Sequence, residues 1–273
     1  MYVVSCRRGF DSDRILASQN RYRNYKNPLD SNAFDDLNLT NVLDVARNKH
    51  VCILVHGFNN EMQAVMNAYW EVVDRMNKTG VFGAQGYGLV IGFAWPGFST
   101  ALGYFTAQGS ANRAAPFLME LINKLRGVAH SVDVQTHSLG ARVALAALRD
   151  PQQAFVDNLL VSAPAVDHHL LEPGRRFFPS TGSCNRCLVY HSKNDPVLNS
   201  VYWIGDLSDG VHAALGLAGP RAKAITLAKT TNVYVVDCSA RVKTHGGYRK
   251  TNPYFQHWKI MLSGVPLERY GEI

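Results

Sequence analysis

A serine within a short turn motif is the residue best placed for nucleophilic chemistry. Ser138 lies in the segment Thr136-His137-Ser138-Leu139-Gly140, between a predicted strand and a predicted helix. This context is typical of a nucleophile elbow, a sharp turn that lifts a serine hydroxyl clear of a sheet. The turn also directs the backbone N–H of Leu139, at the helix N-terminus, towards a developing oxyanion. Gly140 leaves room at the turn, whereas Thr136 replaces the first glycine of the usual G-x-S-x-G pattern.

A second motif, His56-Gly57-Phe58-Asn59, follows the first strongly apolar run of the chain. In proteins with a nucleophile elbow, a histidine–glycine motif at this place supplies a second oxyanion donor from the backbone N–H after the glycine. That residue is Phe58, so Phe58 and Leu139 form the predicted oxyanion hole. We interpret His56 as a residue that braces the loop.

Strands and helices that could position these motifs alternate from Val51 onwards. The predicted strands are Val51–Val55, Leu89–Trp95, Ser131–Gln135, Leu159–Ser162, Cys187–Tyr190 and Val233–Val236, and the predicted helices are Asn60–Asn77, Ala111–Leu125, Leu139–Leu148 and Tyr254–Leu262. Each strand is an apolar run, which is typical of parallel strands covered on both faces. Before them, Tyr2–Val4 is predicted as an edge strand in a polar, turn-rich segment. The sequence therefore predicts an α/β fold with a mostly parallel central sheet sandwiched by helices.

Three motifs occur together in an order that resembles a known group. They are the segments Val55–Asn59, Ala94–Gly97 and Thr136–Arg142, with the sequences VHGFN, AWPG and THSLGAR. Three further fragments fit the same group, namely Ser162–Asp167, Ser192–Asp195 and Leu215–Pro220. From about Val51 to the C-terminus, the chain resembles a branch of bacterial α/β-hydrolases described as uncharacterised esterase/lipase-like proteins. The resemblance implies an α/β-hydrolase fold and serine hydrolase chemistry, and it identifies no substrate.

Asp195 is the predicted acid of a catalytic triad. A serine needs a histidine to accept its proton and a carboxylate to orient that histidine, and in this fold the chain order is serine, acid, histidine. Asp195 follows a predicted strand through a short turn, and its alternative interpretation is a helix N-cap. Asp167, after the preceding strand, is the alternative acid, although we interpret it rather as a loop-ordering carboxylate. Asp133 lies within the strand before the elbow, too far back to reach it.

His245 is the predicted base. After Asp195 the chain contains His212, His245 and His257. His245 lies in a glycine-bearing loop after the strand Val233–Val236, where its imidazole can swing between acid and serine. His257 lies inside the closing helix, from which it does not readily reach the elbow. The resemblance also implies a histidine followed closely by an aromatic residue here, as His245 is.

These residues predict a serine esterase that uses a Ser138–His245–Asp195 triad and an acyl-enzyme intermediate. Two alternatives stay open: acyl transfer by the same triad, and a non-catalytic binding protein on the same fold. Trp95 and Tyr104 are predicted to line an apolar pocket for a small-molecule ester substrate.

Composition argues against several other classes of protein. The formal net charge is +7, but the basic residues are scattered, which argues against a nucleic-acid-binding protein. No apolar run approaches about 18 residues and the first residues lack a signal peptide's apolar core, so we expect neither a membrane span nor a leader. Five cysteines, an odd number, favour a reducing, cytoplasmic location.

The expected organisation is one domain over residues 1–273, an ordinary length for a single α/β domain. The segment 205–229 lies outside the alternation and is interpreted either as a lid over the site or as a long connection. Cys184 and Cys187 form a lone C-x-x-C, which we interpret as a loop with free thiols because structural zinc needs four ligands. No metal or organic cofactor is expected, and the oligomeric state is left undefined.

Overall fold

A computed structural model of the chain describes residues 1–10, 16–58, 61–97, 104–205 and 213–273, with the backbone alone at residues 31, 104–105 and 201–205. Its strands are β1 (Tyr2–Arg7), β2 (Leu16–Asn27), β3 (Asp30–Leu37), β4 (His50–Val55), β5 (Leu89–Ala94), β6 (Ser131–His137), β7 (Val156–Ser162), β8 (Cys184–His191), β9 (Val233–Asp237) and β10 (Tyr270–Glu272). They form one sheet in the spatial order β10–β9–β8–β7–β6–β4–β5–β1–β2–β3. Every neighbouring pair from β10 to β1 is parallel, whereas β2 and β3 are antiparallel. The predicted mostly parallel sheet is therefore confirmed.

Helices flank this sheet. They are α1 (Leu39–Ala46), α2 (Met62–Thr79), α3 (Tyr104–Arg126), α4 (Gly140–Ala147), α5 (Pro196–Gly205), α6 (Leu215–Ala218), α7 (Lys223–Lys229) and α8 (Asn252–Leu262), with short 3-10 helices at Phe178–Ser183 and Gly247–Lys250. Helix α3 packs against α1 and α4, while α2 packs against α8. Among the described residues, no helix has the length and apolar character needed to cross a membrane.

The two ends of the chain correct the sequence prediction. Tyr2–Val4 belongs to β1, which lies inside the sheet between β5 and β2 and is not an edge strand. The β2–β3 hairpin extends the sheet beyond β1. The sequence of this hairpin contains no apolar run that would predict it, because the buried residues of β2 are Asn20 and Tyr25. After α8 the chain adds β10, so neither Val233–Val236 nor that helix is the last element. Only three residues form β10, and most of its surface is exposed, which leaves no buried pattern to recognise.

The cysteines also differ from the prediction in one respect. All five are free and buried. Cys184 and Cys187 lie in β8 and not in a loop. Within the described parts of the chain, no group of three or more His, Cys, Asp or Glu side chains is arranged to hold a metal ion.

A buried polar network crosses the core through β6. The carboxylate of Asp133 accepts hydrogen bonds from the Tyr87 hydroxyl at 2.5 Å and from the side chain of Asn158 at 2.8 Å. The indole N–H of Trp258 donates to the Tyr87 hydroxyl at 2.9 Å. Burial raises the pKa of Asp133 to about 7, although these hydrogen bonds favour the ionised form. The network thus joins the sheet to α8 at the cost of holding a carboxylate away from water.

The raised pKa predicts a pH-dependent difference in stability between the wild-type protein and Asp133→Asn. Because the folded-state pKa of about 7 exceeds the ordinary value of 3.8, the folded protein binds a proton between these pH values that the unfolded chain does not bind. Relative to the variant, the wild type should therefore gain on the order of 3 kcal/mol in unfolding free energy as the pH falls from 8 to 5. Urea titrations of both proteins at each pH measure this difference. A constant difference across this range would contradict the raised pKa.

Candidate active site

Ser138 occupies a strained turn between β6 and α4. Its φ of 56° lies in the left-handed region, which non-glycine residues rarely adopt. Its N–H donates to the Ser162 carbonyl at 3.0 Å, and its carbonyl accepts from the N–H groups of Ala141 and Ala165, each at 3.1 Å. Such strain persists only where the surroundings fix the backbone, and it is concentrated at functional residues. The turn therefore has the backbone geometry of a nucleophile elbow.

The elbow lies against the loop that follows β4, and glycine is required on both sides of this contact. A Cβ atom at Gly140 would lie 2.4 Å from the His56 carbonyl oxygen and 2.6 Å from that of Val55. A Cβ atom at Gly57 would lie 2.8 Å from the Cβ of Ser138. Neither position can hold a side chain without moving backbone or the serine itself. This close approach places Phe58, which follows Gly57, beside the elbow.

His56 braces this loop, as predicted. Its Nδ1 lies 2.7 Å from the Gly57 carbonyl and so carries the proton. Its Nε2 accepts from the backbone N–H of Trp95 at 3.1 Å and lies 3.4 Å from the guanidinium of Arg7, which comes from β1. Burial and the Arg7 charge hold the pKa of His56 well below its usual range. The imidazole is thus neutral, with one tautomer selected by its neighbours.

Trp95 does not occupy the position that we predicted. Its side chain is fully buried and stacks on the His56 ring, with centroids 5.6 Å apart and an interplanar angle of 15°. Its indole N–H donates to the His56 carbonyl at 2.8 Å. Trp95 therefore packs behind the loop and does not line the cavity. A large aromatic side chain suits a packing role as well as a binding role, and the sequence alone did not distinguish the two. Tyr104 begins α3, and its side chain lies outside the described residues.

Asp195 and His245 form a hydrogen-bonded pair. Nδ1 of His245 lies 2.7 Å from Oδ2 of Asp195, whose side chain is fully buried. The other carboxylate oxygen accepts from the N–H groups of Val197 and Leu198, at 3.1 and 3.0 Å, at the start of α5. Asp195 therefore caps a helix and orients an imidazole at once. A proton on Nδ1, facing the carboxylate, leaves Nε2 of His245 as a proton acceptor.

The alternative acid and base lie elsewhere. The carboxylate of Asp167 makes no hydrogen bond or ion pair with any described residue, and its backbone forms a bridge with Ala214. His257 lies in α8, where its Nδ1 is 3.0 Å from the hydroxyl of Tyr190. His212 is outside the described residues.

Ser138 and His245 share a cavity of about 230 Å³ between the sheet and the layer formed by α2 and α8. The residues that line it with them are Val55, His56, Gly57, Phe58, Ala68, Tyr69, Val72, Gln135, His137, Gly246, Tyr248, Arg249, Tyr254 and Trp258. Ser138 and His245 thus line one partly open cavity beside the loop of Phe58.

Sequence reasoning did not single out His137, which precedes the serine. Its Nε2 donates to the backbone carbonyl of His245 at 2.8 Å, and the two rings lie 4.6 Å apart. Burial and the neighbouring His245 lower the pKa of His137 to about 3, so that its imidazole stays neutral. His137 thereby holds the loop of His245 against β6. Its adjacency to Ser138 within the motif was the available signal.

The segment 205–229 does not cover this cavity in its described part. Residues 213–229 contribute none of the lining residues, and residues 206–212 lie outside the described ones. Leu215 is fully buried, and its N–H donates to the Val166 carbonyl at 2.7 Å. Leu215 is therefore buried against the chain that follows β7 and not over the cavity.

Comparison with known proteins places the chain among hydrolases. The family model described as alpha/beta hydrolase of unknown function (DUF900) matches residues 31–213, more than half of the chain. Among solved structures, carboxyl esterase 2 from the mycorrhizal fungus Tuber melanosporum is similar, with a TM-score of 0.37 and 13% sequence identity over 93% of this chain and 69% of that chain. No curated protein matches the sequence.

Proposed function

Because the chain belongs to the alpha/beta hydrolase family DUF900, we propose that it is a serine hydrolase that cleaves carboxylic esters with Ser138, His245 and Asp195. The observation that carries the proposal is the 2.7 Å contact between Asp195 and His245, whose imidazole opens onto the same cavity as a serine at an elbow φ of 56°. This arrangement supplies a nucleophile, a base and an orienting acid in the order expected for the fold.

The proposed reaction begins with attack of the Ser138 oxygen on the ester carbonyl carbon. The hydroxyl proton passes to Nε2 of His245, and the buried carboxylate of Asp195 stabilises the imidazolium that forms. As the tetrahedral intermediate collapses, the carbon–oxygen bond to the alcohol breaks and the imidazolium protonates the departing oxygen. Water, activated by the same imidazole, then hydrolyses the acyl-enzyme and restores Ser138.

The negative charge of the tetrahedral intermediate is proposed to be bound by the backbone N–H groups of Leu139 and Phe58. Leu139 is the N-cap residue of α4, where the helix dipole favours an anion. Phe58 lines the cavity directly after Gly57, the glycine that lies against Ser138. Donors fixed in this way stabilise developing charge without reorganisation during the reaction.

Replacing Asp195 by asparagine should lower kcat by about 10⁴-fold, because the amide favours the wrong imidazole tautomer. Asparagine also caps helices well, so α5 should keep its N-terminus. Asp167→Asn is the matched control, and its kcat should stay close to the wild-type value. If Asp167→Asn were the more damaging of two equally folded variants, the acid would have to be reassigned.

Turnover of p-nitrophenyl acetate and butyrate tests the proposed function. We expect release of p-nitrophenol with saturation kinetics, and an acetyl group on the Ser138 peptide after acid quenching. Adding methanol to the reaction distinguishes hydrolysis from acyl transfer, because a transferase would form methyl acetate in preference to acetate. A folded protein that releases no p-nitrophenol from either ester would refute the proposal.

A further inference from the structure

The cavity beside Ser138 continues along β6, and most polar groups in its wall are already satisfied. The Tyr69 hydroxyl donates to the Phe93 carbonyl at 2.6 Å and accepts from the backbone N–H of His56 at 3.1 Å. The Tyr254 hydroxyl lies 2.8 Å from the hydroxyl of Ser162. These hydroxyl groups therefore do not need a hydrogen bond from a molecule bound in the cavity.

Gln135 differs from them. Its side-chain amide nitrogen donates to the Thr136 carbonyl at 2.8 Å and lies 3.4 Å from the Tyr254 hydroxyl, which fixes the orientation of the amide. Its carbonyl oxygen, Oε1, accepts no hydrogen bond from any described residue, although only 7% of the residue is exposed. Gln135 lines the cavity, so an occupant that displaces water from this oxygen must replace the lost hydrogen bond, and an occupant that donates to it is favoured.

His137 presents a second acceptor two residues further along the same face of the strand. Its Nε2 carries the proton, since that atom faces the carbonyl of His245. Because the ring is neutral, Nδ1 keeps its lone pair. Within the described parts of the chain, no donor reaches this nitrogen. His137 and Gln135 therefore line the same cavity, with Gln135 two residues further from Ser138 along β6.

The charge around the cavity favours a neutral donor over a cationic one. No carboxylate is found among the described residues that line it. Among the described lining residues, Arg249 alone carries a full charge, and its Nε donates to Glu71 at 2.5 Å. An ammonium group would thus find no carboxylate among the described lining residues to pair with, whereas an amide or hydroxyl needs only the acceptor of Gln135.

We propose that this cavity is an acyl subsite for short chains that end in a neutral hydrogen-bond donor, an amide or a hydroxyl, read by Oε1 of Gln135. The inference rests on the proposed ester hydrolysis, because the acyl group must start at Ser138. A volume of about 230 Å³ equals that of seven or eight water molecules at about 30 Å³ each. An acyl group of similar atom count fills this volume.

Two isosteric methyl esters test this subsite. Methyl 4-carbamoylbutanoate ends in an amide NH₂, and methyl 5-oxohexanoate has a methyl group in its place. For the wild type we expect kcat/KM to favour the amide by about tenfold or more, the value of one hydrogen bond to a buried acceptor. In Gln135→Met the ratio should fall to about one. Gln63→Met is the matched control, because Gln63 bonds to Asn67 on α2 and does not line the cavity, and it should keep the wild-type ratio.

A measurement on the wild-type protein alone tests the subsite even if the Gln135→Met variant does not fold. Butanamide should inhibit the hydrolysis of p-nitrophenyl acetate competitively, at a concentration about tenfold lower than its isostere pentan-2-one. Equal hydrolysis of the two methyl esters, or equal inhibition by the two probes, would overturn the subsite while p-nitrophenyl acetate is still cleaved. Failure to cleave p-nitrophenyl acetate would instead overturn the proposed function together with the subsite.

Discussion

Ser138→Ala is expected to lower kcat on p-nitrophenyl acetate by about a millionfold, with a small residual rate from the oxyanion donors. The hydroxyl is the only group removed. The backbone hydrogen bonds of the turn, from Ser138 N–H to Ser162 and from Ala141 and Ala165 to the Ser138 carbonyl, remain available. Alanine carries the same Cβ as serine, so the strain at a φ of 56° is unchanged.

Folding must be shown to be intact for this result to count. The unfolding midpoint in urea should stay within the range of an ordinary surface substitution, because no packing contact is lost. A folded Ser138→Ala protein that turns over p-nitrophenyl acetate at the wild-type rate would remove the serine from the mechanism.

His245→Ala is expected to cost about as much as loss of the serine, since nucleophile and base act as one unit. His245 is the histidine that contacts Asp195 and opens onto the cavity. The appropriate measurement is kcat/KM on p-nitrophenyl acetate at pH 8, together with the double variant Ser138→Ala/His245→Ala. The double variant should be scarcely slower than either single variant, because the two losses are not additive.

His257→Ala is the matched control for this experiment. The variant loses one contact between α8 and the Tyr190 hydroxyl of β8, so a modest loss of stability with nearly full activity is expected. Near-complete loss of activity in His257→Ala, with substantial activity in His245→Ala, would contradict the assignment of the base.

The parts of the fold that could be predicted from the sequence are those with an unbroken apolar pattern. Strands such as β4 and β7 are buried on both faces, and their sequences show it. The hairpin of β2 and β3 could not be found this way, because a strand with one covered face and polar residues such as Asn20 at its buried positions has no apolar run. The short, exposed β10 leaves even less pattern.

Some residues of the candidate site could likewise be predicted from the sequence, whereas others could not. The Ser138 elbow and the order of Asp195 and His245 could be predicted because each depends on local sequence and on the direction of the chain. The contributions of Arg7 and His137 could not, since they arise from packing between distant segments. For Trp95 the prediction was wrong in the opposite direction. The sequence does not tell which side of a strand's end faces the substrate, so a large aromatic residue that supports the loop was predicted to line the pocket.

Covalent labelling with a fluorophosphonate tests the central claim most directly, because the reagent phosphonylates a serine that is activated by a neighbouring base. We expect stoichiometric labelling of the wild type on the peptide that contains Ser138, located by mass spectrometry, with loss of ester hydrolysis in proportion. Labelling should be abolished in Ser138→Ala and strongly slowed in His245→Ala. No labelling of the folded wild type, or labelling on a different residue with Ser138 unmodified, would contradict the account.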